Sequence, residues 1–320
     1  MKKDIYLGID VGSVSLNIVG LNSEMEIQDV IYQRTNGRVI ESVQHSMQQL
    51  SEKYHAHAIA GCCVTGSARN LVGALVNADL VKNEITAHAT ATVFSHPEVK
   101  TILEIGGEDS KIIILQDGIP VDFAMNTICA AGTGAFLDQL AGRLKIPVEE
   151  LGEMALKSKK EVAISGRCTV FAESDMIFKQ QIGYQIEDIV NGLCRSMVNN
   201  YLNDLAKGKN LEAPVYFQGG VAANSGIKKA FEEKLNLDIH IPDQFSVMGA
   251  YGAALMVFKH MSKNKCVSKI RPIKDIQNSD FRAHAVQCDQ CPNNCQLIKL
   301  MDSGRTLGLF GGRCGTQGMN

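Results

Sequence analysis

Two cysteines stand directly before stretches with a helical pattern, where a thiol can do more than pack. Cys129 lies in the run NTICAAGTGAFLDQL, and Cys168 precedes the run TVFAESDMIFKQQ. The first N–H groups of a helix lack intrahelical partners and carry positive partial charge, so they stabilise a thiolate and any anionic cluster bound to it. The two thiols are therefore candidate ligands of a redox centre, with two ordinary core cysteines as the alternative.

Two thiolates per chain are too few for an iron–sulfur cluster that is held by four cysteines. A twofold dimer presents the same surface twice, so two chains together supply four thiolates at the symmetry axis. Spacing alone does not separate this arrangement from two buried cysteines. If the pair is functional, we expect one cluster that bridges two copies of the chain.

A second set of cysteines lies near the end of the sequence. Its members are Cys288, Cys291, Cys295 and Cys314. Four thiolates satisfy a tetrahedral zinc ion, which can stabilise a small segment that has no core of its own. A second [4Fe-4S] cluster suits the same four ligands. The set predicts a metal site, which is structural or a docking element if it holds zinc and an electron relay if it holds iron.

Three glycine-containing turns follow predicted strands and allow the backbone to approach a phosphate. They begin at Asp10, Glu104 and Gly219. The first two lie between strands, where N–H groups and hydroxyls can donate to phosphate oxygens, and the third opens a helix, where bare backbone can lie against an adenosine. A single turn of this kind is usually only a hairpin, but three in this order predict a nucleotide site. The sequence has neither a Walker-type loop nor a strand–GxGxxG–helix unit.

Asp10 and Glu104 are the candidate catalytic residues, with Asp10 holding Mg²⁺ through water and both serving metal and water positioning. The other nucleotide-binding candidates belong to the three turns or to the small residues after Cys129. They are Gly12, Ser13, Val14, Ser15, Gly106, Gly107, Glu108, Gly132, Thr133, Gly134, Gly219, Gly220, Val221 and Ala222.

The elements that carry the first two turns repeat along the chain. IYLGID and VSLNIVGL predict strands around the first turn, and TILEIGGEDSKIIILQDGIPVDFAM predicts three strands around the second. An acid followed two positions later by a glycine recurs after about ninety residues, first at Asp10 and Gly12 and then at Glu104 and Gly106. The pattern predicts an α/β chain of two related domains that face each other.

We expect the first domain at residues 1–98, completed by the last helix at about 246–261, and the second at 99–245 with both Cys129 and Cys168. Helical patterns start at Thr169 and run from about Gln185 to Leu205. Lysines and prolines over residues 263–287 predict a linker or extended segment. Linker and cysteine-rich tail together form a small appendage over residues 263–320.

Bulk composition narrows the function classes. The 320 residues allow two domains, and the net charge of −2 supplies no basic field for nucleic acid. No apolar run reaches the roughly 18 residues that a membrane span needs, and the start MKKDIYLGIDVGS lacks the pattern of a signal peptide. We therefore expect a cytoplasmic protein, in which ten cysteines more often bind metal or do redox chemistry than form disulfides.

The order of the three turns resembles that of the actin, Hsp70 and sugar kinase superfamily. The resemblance implies two RNase H-like domains of that fold, with an ATP cleft between them. It assigns the first phosphate motif to the turn at Asp10, the second to the turn at Glu104 and the adenosine motif to Gly219, Gly220 and Val221. The second motif usually begins with Asp in that superfamily, and here it begins with the longer Glu104.

The cysteine segments closely resemble the activator component of 2-hydroxyacyl-CoA dehydratases, which is related to the ATP-binding subunits of benzoyl-CoA reductase. The similarity extends over residues 4–260. The segments that carry it are NTICAAGTGAFLDQLA, VAISGRCTVFAESD, CVTGSARNLVG, EIGGEDSK, QGGVAANSGIKKAFEE and VMGAYGAAL. Shorter activators of that family end near the position of His260, whereas longer fused relatives continue.

The resemblance implies an oxygen-sensitive homodimeric ATPase with one [4Fe-4S] cluster held by Cys129 and Cys168 of each subunit. It implies ATP, ADP and Mg²⁺ as ligands, and reduced ferredoxin or flavodoxin as the electron donor. The electron acceptor is a partner iron–sulfur dehydratase or reductase, of the 2-hydroxyacyl-CoA dehydratase or double-cubane cluster type. No nucleic acid and no membrane partner is expected.

Two other functions fit the same fold. A sugar or acyl kinase needs a positioned substrate group and a catalytic acid, but no paired cysteines before helices. A non-catalytic ATP-binding regulator would use the tail as a zinc module. Because fold alone does not choose among these functions, the surroundings of Cys129 and Cys168 favour the electron-transfer activator.

Overall fold

The described part of the computed structural model comprises residues 4–54, 58–126, 129–166 and 168–313. It divides into two compact units, the first drawn from Met1–Ala91 and Gly249–Asn320 and the second from Thr92–Met248. The sequence-based boundaries at residues 98 and 245 both fall inside the second unit. Across the four described ranges, no helix combines the length and apolarity that crossing a membrane requires.

A five-stranded sheet with the order β3-β2-β1-β4-β5 forms the base of the first unit. Its strands are β1 (Ile5–Val11), β2 (Ser15–Leu21), β3 (Ile27–Arg34), β4 (Ile59–Thr65) and β5 (Leu80–Val81). The first three are antiparallel neighbours, whereas β4 and β5 join in parallel. The helices between them are α1 (Val39–Lys53), α2 (Arg69–Val76) and α3 (Glu84–Ser95), of which α3 runs across the boundary of the units. Strand β1 is apolar at most positions because it is buried in the middle of the sheet.

The second unit has a sheet of the same construction, with the order β10-β9-β6-β7-β8. Its strands are β6 (Thr101–Ile105), β7 (Ser110–Gln116), β8 (Ile119–Asn126), β9 (Val215–Gln218) and β10 (Ile239–His240). Again the first three are antiparallel and the last two join in parallel. The helices are α4 (Gly134–Leu144), α5 (Leu151–Leu156), α6 (Thr169–Gln181), α7 (Ile186–Leu205) and α8 (Ser225–Leu235).

The two sheets match residue by residue around the candidate carboxylates. Asp10 on β1 pairs with Asn17 on β2 and with Thr65 on β4. Glu104 on β6 pairs in the same way with Lys111 on β7 and with Gln218 on β9. The predicted α/β class and the predicted repeat are therefore confirmed.

The units differ in the connection between the third and fourth strands of each sheet. In the first unit only α1 lies between β3 and β4, whereas in the second unit α4, α5, α6 and α7 lie between β8 and β9. Both Cys129 and Cys168 belong to this longer segment. The helix predicted from Thr169 begins there, and the helix predicted from about Gln185 begins at Ile186.

The last long helix, α9 (Met248–Asn264), returns to the first unit. It lies directly on β1, because a Cβ atom at Gly8 would come within 1.9 Å of the carbonyl oxygen of Ala250. Likewise, a Cβ atom at Gly252 would come within 1.8 Å of the carbonyl oxygen of Ala87 on α3. Two glycines thus allow backbone-to-backbone contacts that no larger residue permits.

The segment predicted as a linker or extended chain over residues 263–287 contains regular elements in its second part. There the chain forms α10 (Ile273–Asn278) and β11 (Phe281–Gln287), and the latter joins β12 (Gln296–Asp302) and β13 (Arg305–Phe310) in a three-stranded antiparallel sheet. Ile273 and Ile276 are buried in the core of the first unit, and the Gln44 side chain of α1 donates to the carbonyl oxygen of Ile276 at 3.0 Å. The helix was missed because a single pair of isoleucines is a weak signal among charged residues.

Candidate functional site

Asp10 lies at the end of β1 between two glycines of the first unit. Gly66, which follows β4 with φ of +92°, would place a Cβ atom 2.5 Å from Oδ1 of Asp10. Gly249 at the start of α9 would place one 2.0 Å from Oδ2 and 3.3 Å from Nε2 of His88, which is itself buried. Bare backbone therefore flanks the carboxylate on both sides, and His88 lies beside it.

The first predicted turn is a tight hairpin between β1 and β2. The Gly12 N–H donates to the carbonyl oxygen of Ser15 at 2.9 Å. Ser13 is exposed, and the carbonyl oxygens of Ser13 and Val14 accept from the Thr35 hydroxyl at 3.1 and 3.2 Å. The loop is therefore held from behind, while the hydroxyl of Ser13 stays on the surface, where a phosphate can reach it.

The second predicted turn has the same backbone but a different side-chain environment. The Gly106 N–H donates to the carbonyl oxygen of Asp109 at 3.0 Å, which repeats the Gly12 contact. Glu104 is 4% exposed, and its Oε2 lies 2.8 Å from Nζ of the fully buried Lys111. The same ammonium lies 2.9 Å from Oδ2 of Asp109. The loop therefore contains its own buried cation between two carboxylates.

Gly219 packs closely against the Glu104 carboxylate, as Gly66 packs against the Asp10 carboxylate. It follows β9 with φ of +89°, and a Cβ atom there would lie 2.7 Å from Oε1 of Glu104 and 2.3 Å from the carbonyl oxygen of Ile105. Gly220 is exposed, whereas the side chains of Val221 and Ala222 are buried. Any nucleotide contact from this turn is therefore limited to its backbone and to Gly220.

Helix α4 begins on the second turn. The N–H groups of Gly134 and Ala135 donate to the carbonyl oxygens of Gly106 and Gly107 at 2.8 and 2.7 Å. Thr133 is fully buried, and its hydroxyl donates to the carbonyl oxygen of Ala130 at 2.8 Å. In the described contacts, the predicted nucleotide-binding residue Gly134 therefore braces the second turn, whereas Thr133 closes the turn that leads into α4.

The two candidate cluster ligands occupy different positions relative to their helices. Cys168 is the N-cap of α6 and half-buried, and its carbonyl oxygen accepts from the Ala172 N–H at 3.0 Å. Cys129 is exposed and lies upstream of α4 in a turn that the Asn126 side chain holds, because this amide donates to Cys129 O at 2.9 Å and accepts from Cys129 N at 3.1 Å. Of the two cysteines, Cys168 alone thus occupies a helix terminus.

Asn200 of α7 lies close to both cysteine segments. The Asn200 side chain donates to the carbonyl oxygen of Gly166, just before Cys168. A Cβ atom at Gly132, just after Cys129, would lie 3.9 Å from Cβ of the same asparagine. The next residue of α7, Tyr201, is buried, and its hydroxyl donates to the carbonyl oxygen of Lys111 at 2.5 Å. Burial raises the pKa of the Tyr201 hydroxyl well above its usual value, so this group remains a donor.

Asp188 fixes the segment that leads to Cys168. Its Oδ1 accepts from the N–H groups of Lys159 and Lys160 at 2.7 and 2.9 Å and from the Ser158 hydroxyl at 3.0 Å. The backbone hydrogen bonds from Lys160 and then Lys159 are the main reason why the pKa of the Asp188 carboxyl is lowered. The ionised carboxylate thus holds the loop.

Exposed apolar side chains lie on β8, which precedes Cys129, and on α6, which follows Cys168. Of the fourteen large apolar residues that are exposed in the described part of the chain, four lie on β8 and four on or next to α6. They are Ile119, Val121, Phe123 and Met125, and Val170, Phe171, Phe178 and Ile182. We call the second group the α6 patch. Apolar patches of this kind mark surfaces that another protein covers.

The other cysteines divide into buried thiols and the tail set. Burial raises the pKa of the Cys63 and Cys194 thiols to about 12, so neither is a nucleophile at neutral pH. In the tail, Cys288 and Cys295 are buried together, and Cys288 N donates to Cys295 O at 2.8 Å. Cys291 is half-buried, and Cys314 lies outside the described residues. Within the described ranges no three His, Cys, Asp or Glu side chains form a metal-binding group, so the four-cysteine site stays a prediction.

Lys111, Gly66, Gly249 and His88 were missing from the predicted site. A signal existed for Gly66, because the strand-like run HAIAGCCVTG ends in this glycine just as β9 ends before Gly219. His88 and Gly249 approach Asp10 from distant parts of the sequence. Lys111 reads in the sequence as an ordinary strand lysine, and only its register opposite Glu104 reveals the contact.

Comparison with known proteins identifies the family. Residues 7–257 match the model of the BadF/BadG/BcrA/BcrD ATPase family. The (R)-2-hydroxyglutaryl-CoA dehydratase activating ATPase of Acidaminococcus fermentans is 37% identical over 263 residues, which are 80% of this chain and 98% of that protein. The structure of the activator of the 2-hydroxyisocaproyl-CoA dehydratase from Clostridium difficile with bound ADPNP has a TM-score of 0.75 and 34% identity, covering 82% of this chain and 97% of that one.

A more distant match bears on the fold alone. A ROK family glucokinase from Streptomyces griseus superimposes with a TM-score of 0.50 at 13% identity, covering 80% of this chain and 99% of that one. The predicted fold is thereby confirmed, as is the predicted resemblance to the dehydratase activators. This chain belongs to the BadF/BadG/BcrA/BcrD ATPase family.

Proposed function

We propose that this chain hydrolyses ATP in order to deliver single low-potential electrons to a partner iron–sulfur dehydratase or reductase. Its similarity to activators of 2-hydroxyacyl-CoA dehydratases supports the class of partner. One structural observation supports a coupling between ATP hydrolysis and electron transfer. The start of α4 donates hydrogen bonds to Gly106 and Gly107, and Cys129 lies just upstream of this helix. The predicted phosphate loop is thus hydrogen-bonded to the helix that follows the predicted cluster ligand.

The residues at the cysteine segments fit an iron–sulfur cluster. Cys129 is exposed and Cys168 is half-buried, and the N–H groups of the first turn of α6 favour a thiolate at Cys168. Two copies of the chain would supply the four thiolates of a [4Fe-4S] cluster. When bound, such a cluster supplies a one-electron carrier. This chemistry implies anaerobic, oxygen-sensitive behaviour.

A second copy of the chain is the proposed occupant of the α6 patch. A bridging cluster requires a twofold axis beside Cys168, and an isologous interface brings the same patch of both subunits together there. Phe171 and Val170 are each 63% exposed and directly follow this cysteine. The dimer would therefore remove from water the apolar side chains that surround the cluster ligands.

ATP would be held by the three turns. The carboxylate of Asp10 fits a Mg²⁺ ion, because hard oxygen donors suit this metal and the ion can be held through water. Such an ion would offset the charge of the transferred phosphate. The N–H groups and hydroxyls from Gly12 to Ser15 would hold phosphate oxygens, and Glu104 would orient the attacking water as a hydrogen-bond acceptor. Gly219 and Gly220 would lie against the adenosine.

Hydrolysis would reach the cysteines through short contacts within the second unit. A phosphate that shifts the loop at Gly106 and Gly107 would also shift the first turn of α4, to which both are hydrogen-bonded. Tyr201 joins the neighbouring Lys111 to α7, where Asn200 contacts both cysteine segments. Each ATP would in this way alter the position of the thiols, and with it the surface that the partner sees.

The four tail cysteines would form a separate site. Cys288, Cys291 and Cys295 with Cys314 would supply four thiolates, for zinc or for a second cluster. The small sheet that carries the first three packs on the first unit through Phe281 and Leu300. Metal analysis of the chain after Cys288→Ser and Cys291→Ser substitutions distinguishes the two metals.

The proposed function is tested by comparing the Cys129→Ala variant with a Cys266→Ala control. Cys266 is an exposed cysteine of the first unit. Phosphate release and ATP-dependent reduction of an anaerobically purified 2-hydroxyacyl-CoA dehydratase are measured together, with reduced ferredoxin or flavodoxin as donor. Cys129→Ala should hydrolyse ATP without reducing the partner, and Cys266→Ala should do both. Undiminished reduction by Cys129→Ala would refute the proposal, as would transfer of the γ-phosphate to a sugar by the wild type.

A further inference from the structure

A lysine is buried between two carboxylates at the second turn, which joins β6 and β7 and is called the second loop below. Lys111 is 2% exposed, and its Nζ lies 2.8 Å from Oε2 of Glu104 and 2.9 Å from Oδ2 of Asp109. The Glu104 side chain is 5% exposed, while that of Asp109 is 28% exposed. A buried charge is tolerated only where it is paired and hydrogen-bonded. The ammonium therefore fixes where both carboxylates lie.

The backbone of Lys111 is held as firmly as its side chain. Its carbonyl oxygen accepts from the buried Tyr201 hydroxyl, and strand pairing places it opposite Glu104. An ammonium group has three donors, and two of them are directed at these two carboxylates. Glu104 can therefore serve as a hydrogen-bond acceptor with a fixed orientation, and its charge is largely offset within the loop.

The first unit has no lysine at the equivalent position. Asn17 faces Asp10 across the strand pair, as Lys111 faces Glu104. Asn17 is 7% exposed, and its Oδ1 has no hydrogen-bond partner in the described residues. A neutral amide supplies no cation to the carboxylate that it faces. The same backbone position thus provides a fixed positive charge in one loop and none in the other.

We propose that Lys111 is a positioning residue, whose ammonium takes the place of a divalent cation in the second loop. It aims Glu104 at water and confines the metal to the Asp10 loop, so one divalent ion accompanies each nucleotide. The inference rests on the proposed nucleotide site. Without Lys111, the carboxylates of Glu104 and Asp109 repel the phosphates until a second divalent ion neutralises them.

The test counts Mn²⁺ ions bound per chain in the presence of ADPNP, from the EPR signal of free Mn²⁺. It compares the wild type, Lys111→Met and the matched control Lys209→Met. Lys209 forms an ion pair with Asp122 in the same unit, at 2.6 Å and outside the three turns. The wild type and Lys209→Met should bind one ion. Lys111→Met should bind two, with ADPNP affinity weakened at least tenfold when only one equivalent of Mn²⁺ is present.

A variant that keeps the charge balance guards against misfolding. Glu104→Gln combined with Lys111→Met removes one charge of each sign, so this variant should fold, bind one Mn²⁺ and keep wild-type ADPNP affinity while hydrolysis is lost. A Lys111→Met chain with one Mn²⁺ and unchanged affinity overturns the inference, and so does a double variant that requires two ions. Failure of the wild type to bind Mn²⁺–ADPNP refutes the nucleotide site itself, which separates the two claims.

Discussion

Each of the two units has its own sheet of the same construction, but the two sheets carry different residues at equivalent positions. Asp10 and Glu104 occupy the same strand position, each flanked by a glycine with positive φ that comes after the parallel strand, Gly66 or Gly219. One faces the neutral Asn17 and the other the buried Lys111. A duplicated backbone can therefore hold two carboxylates with different electrostatic surroundings.

The segment between the third and fourth strands shows the second difference. The first unit spans it with α1, and the second uses four helices that carry Cys129 and Cys168. The thiols are thus added to the duplicated fold without altering its sheet. Asn200 donates to the carbonyl oxygen of Gly166 near Cys168, and Cys129 lies upstream of α4, whose first N–H groups donate to Gly106 and Gly107.

The largest expected effect distinguishes the two carboxylates by catalysis. Asp10→Asn should lower the rate of ATP hydrolysis at least about 10³-fold, and Glu104→Gln about 10²-fold, because metal binding and water orientation contribute separately. Phosphate release at saturating ATP measures both. Asp122→Asn, on the exposed strand β8, is the control and should match the wild type. Equal and small losses for Asp10→Asn and Glu104→Gln would remove the proposed division of tasks.

The next effect distinguishes the residues that face the carboxylates. Lys111→Met should lower the free energy of unfolding by about 3–5 kcal/mol, because it leaves the buried Glu104 carboxylate without its cation. Asn17→Ala should cost only about 1 kcal/mol, since its Oδ1 lacks a hydrogen-bond partner in the described structure. Urea unfolding provides both values. Similar costs for the two variants would show that Lys111 is no more than a packing residue.

Glycine substitutions test whether the two sheets are equivalent around their carboxylates. Gly66→Ala and Gly219→Ala should destabilise to a similar extent, about 2–4 kcal/mol each, because strain at positive φ adds to a clash with backbone oxygen at 2.4 and 2.3 Å. Gly183→Ala is the matched control, as φ is +88° there and no atom lies within 4 Å of the added Cβ. It should cost only about 1–2 kcal/mol. Thermal melts of the three variants rank these costs. If Gly183→Ala costs as much as the other two, the close approach of backbone oxygen to Gly66 and Gly219 is contradicted.

The smallest effect concerns the segment found only in the second unit. The lowered pKa of Asp188 means that its contribution is complete above the unfolded pKa of about 3.9 and disappears as pH falls through the folded value. Asp188→Asn should therefore melt below the wild type at neutral pH and converge with it between about pH 5 and about pH 2. Melting curves across this range test the idea. A constant difference at all pH values would show that ionised Asp188 does not hold the loop.

Local sequence patterns predicted the repeated sheet and part of the candidate site. The acid and glycine spacing at Asp10 and Glu104 exposed the repeat because a hairpin turn is specified by neighbours in sequence. Lys111 was missed because burial depends on register and on Tyr201, which lies far along the chain. Gly249 reaches Asp10 only because α9 returns to the first unit, and His88 lies beside Asp10 from α3, far from it along the chain. Helix α10 was missed because its burial comes from packing on α1, which no local period records.

The iron content of anaerobically purified chain, read together with EPR of the dithionite-reduced protein, tests the central claim most directly. Wild type and Cys168→Ala are compared, and each measurement is repeated after addition of Mg²⁺–ADPNP. We expect Cys168→Ala to lose about four iron atoms per two chains, together with a cluster signal that in the wild type changes when the nucleotide is added. Wild-type protein without iron, or a Cys168→Ala variant with the same iron and the same signal, would contradict it.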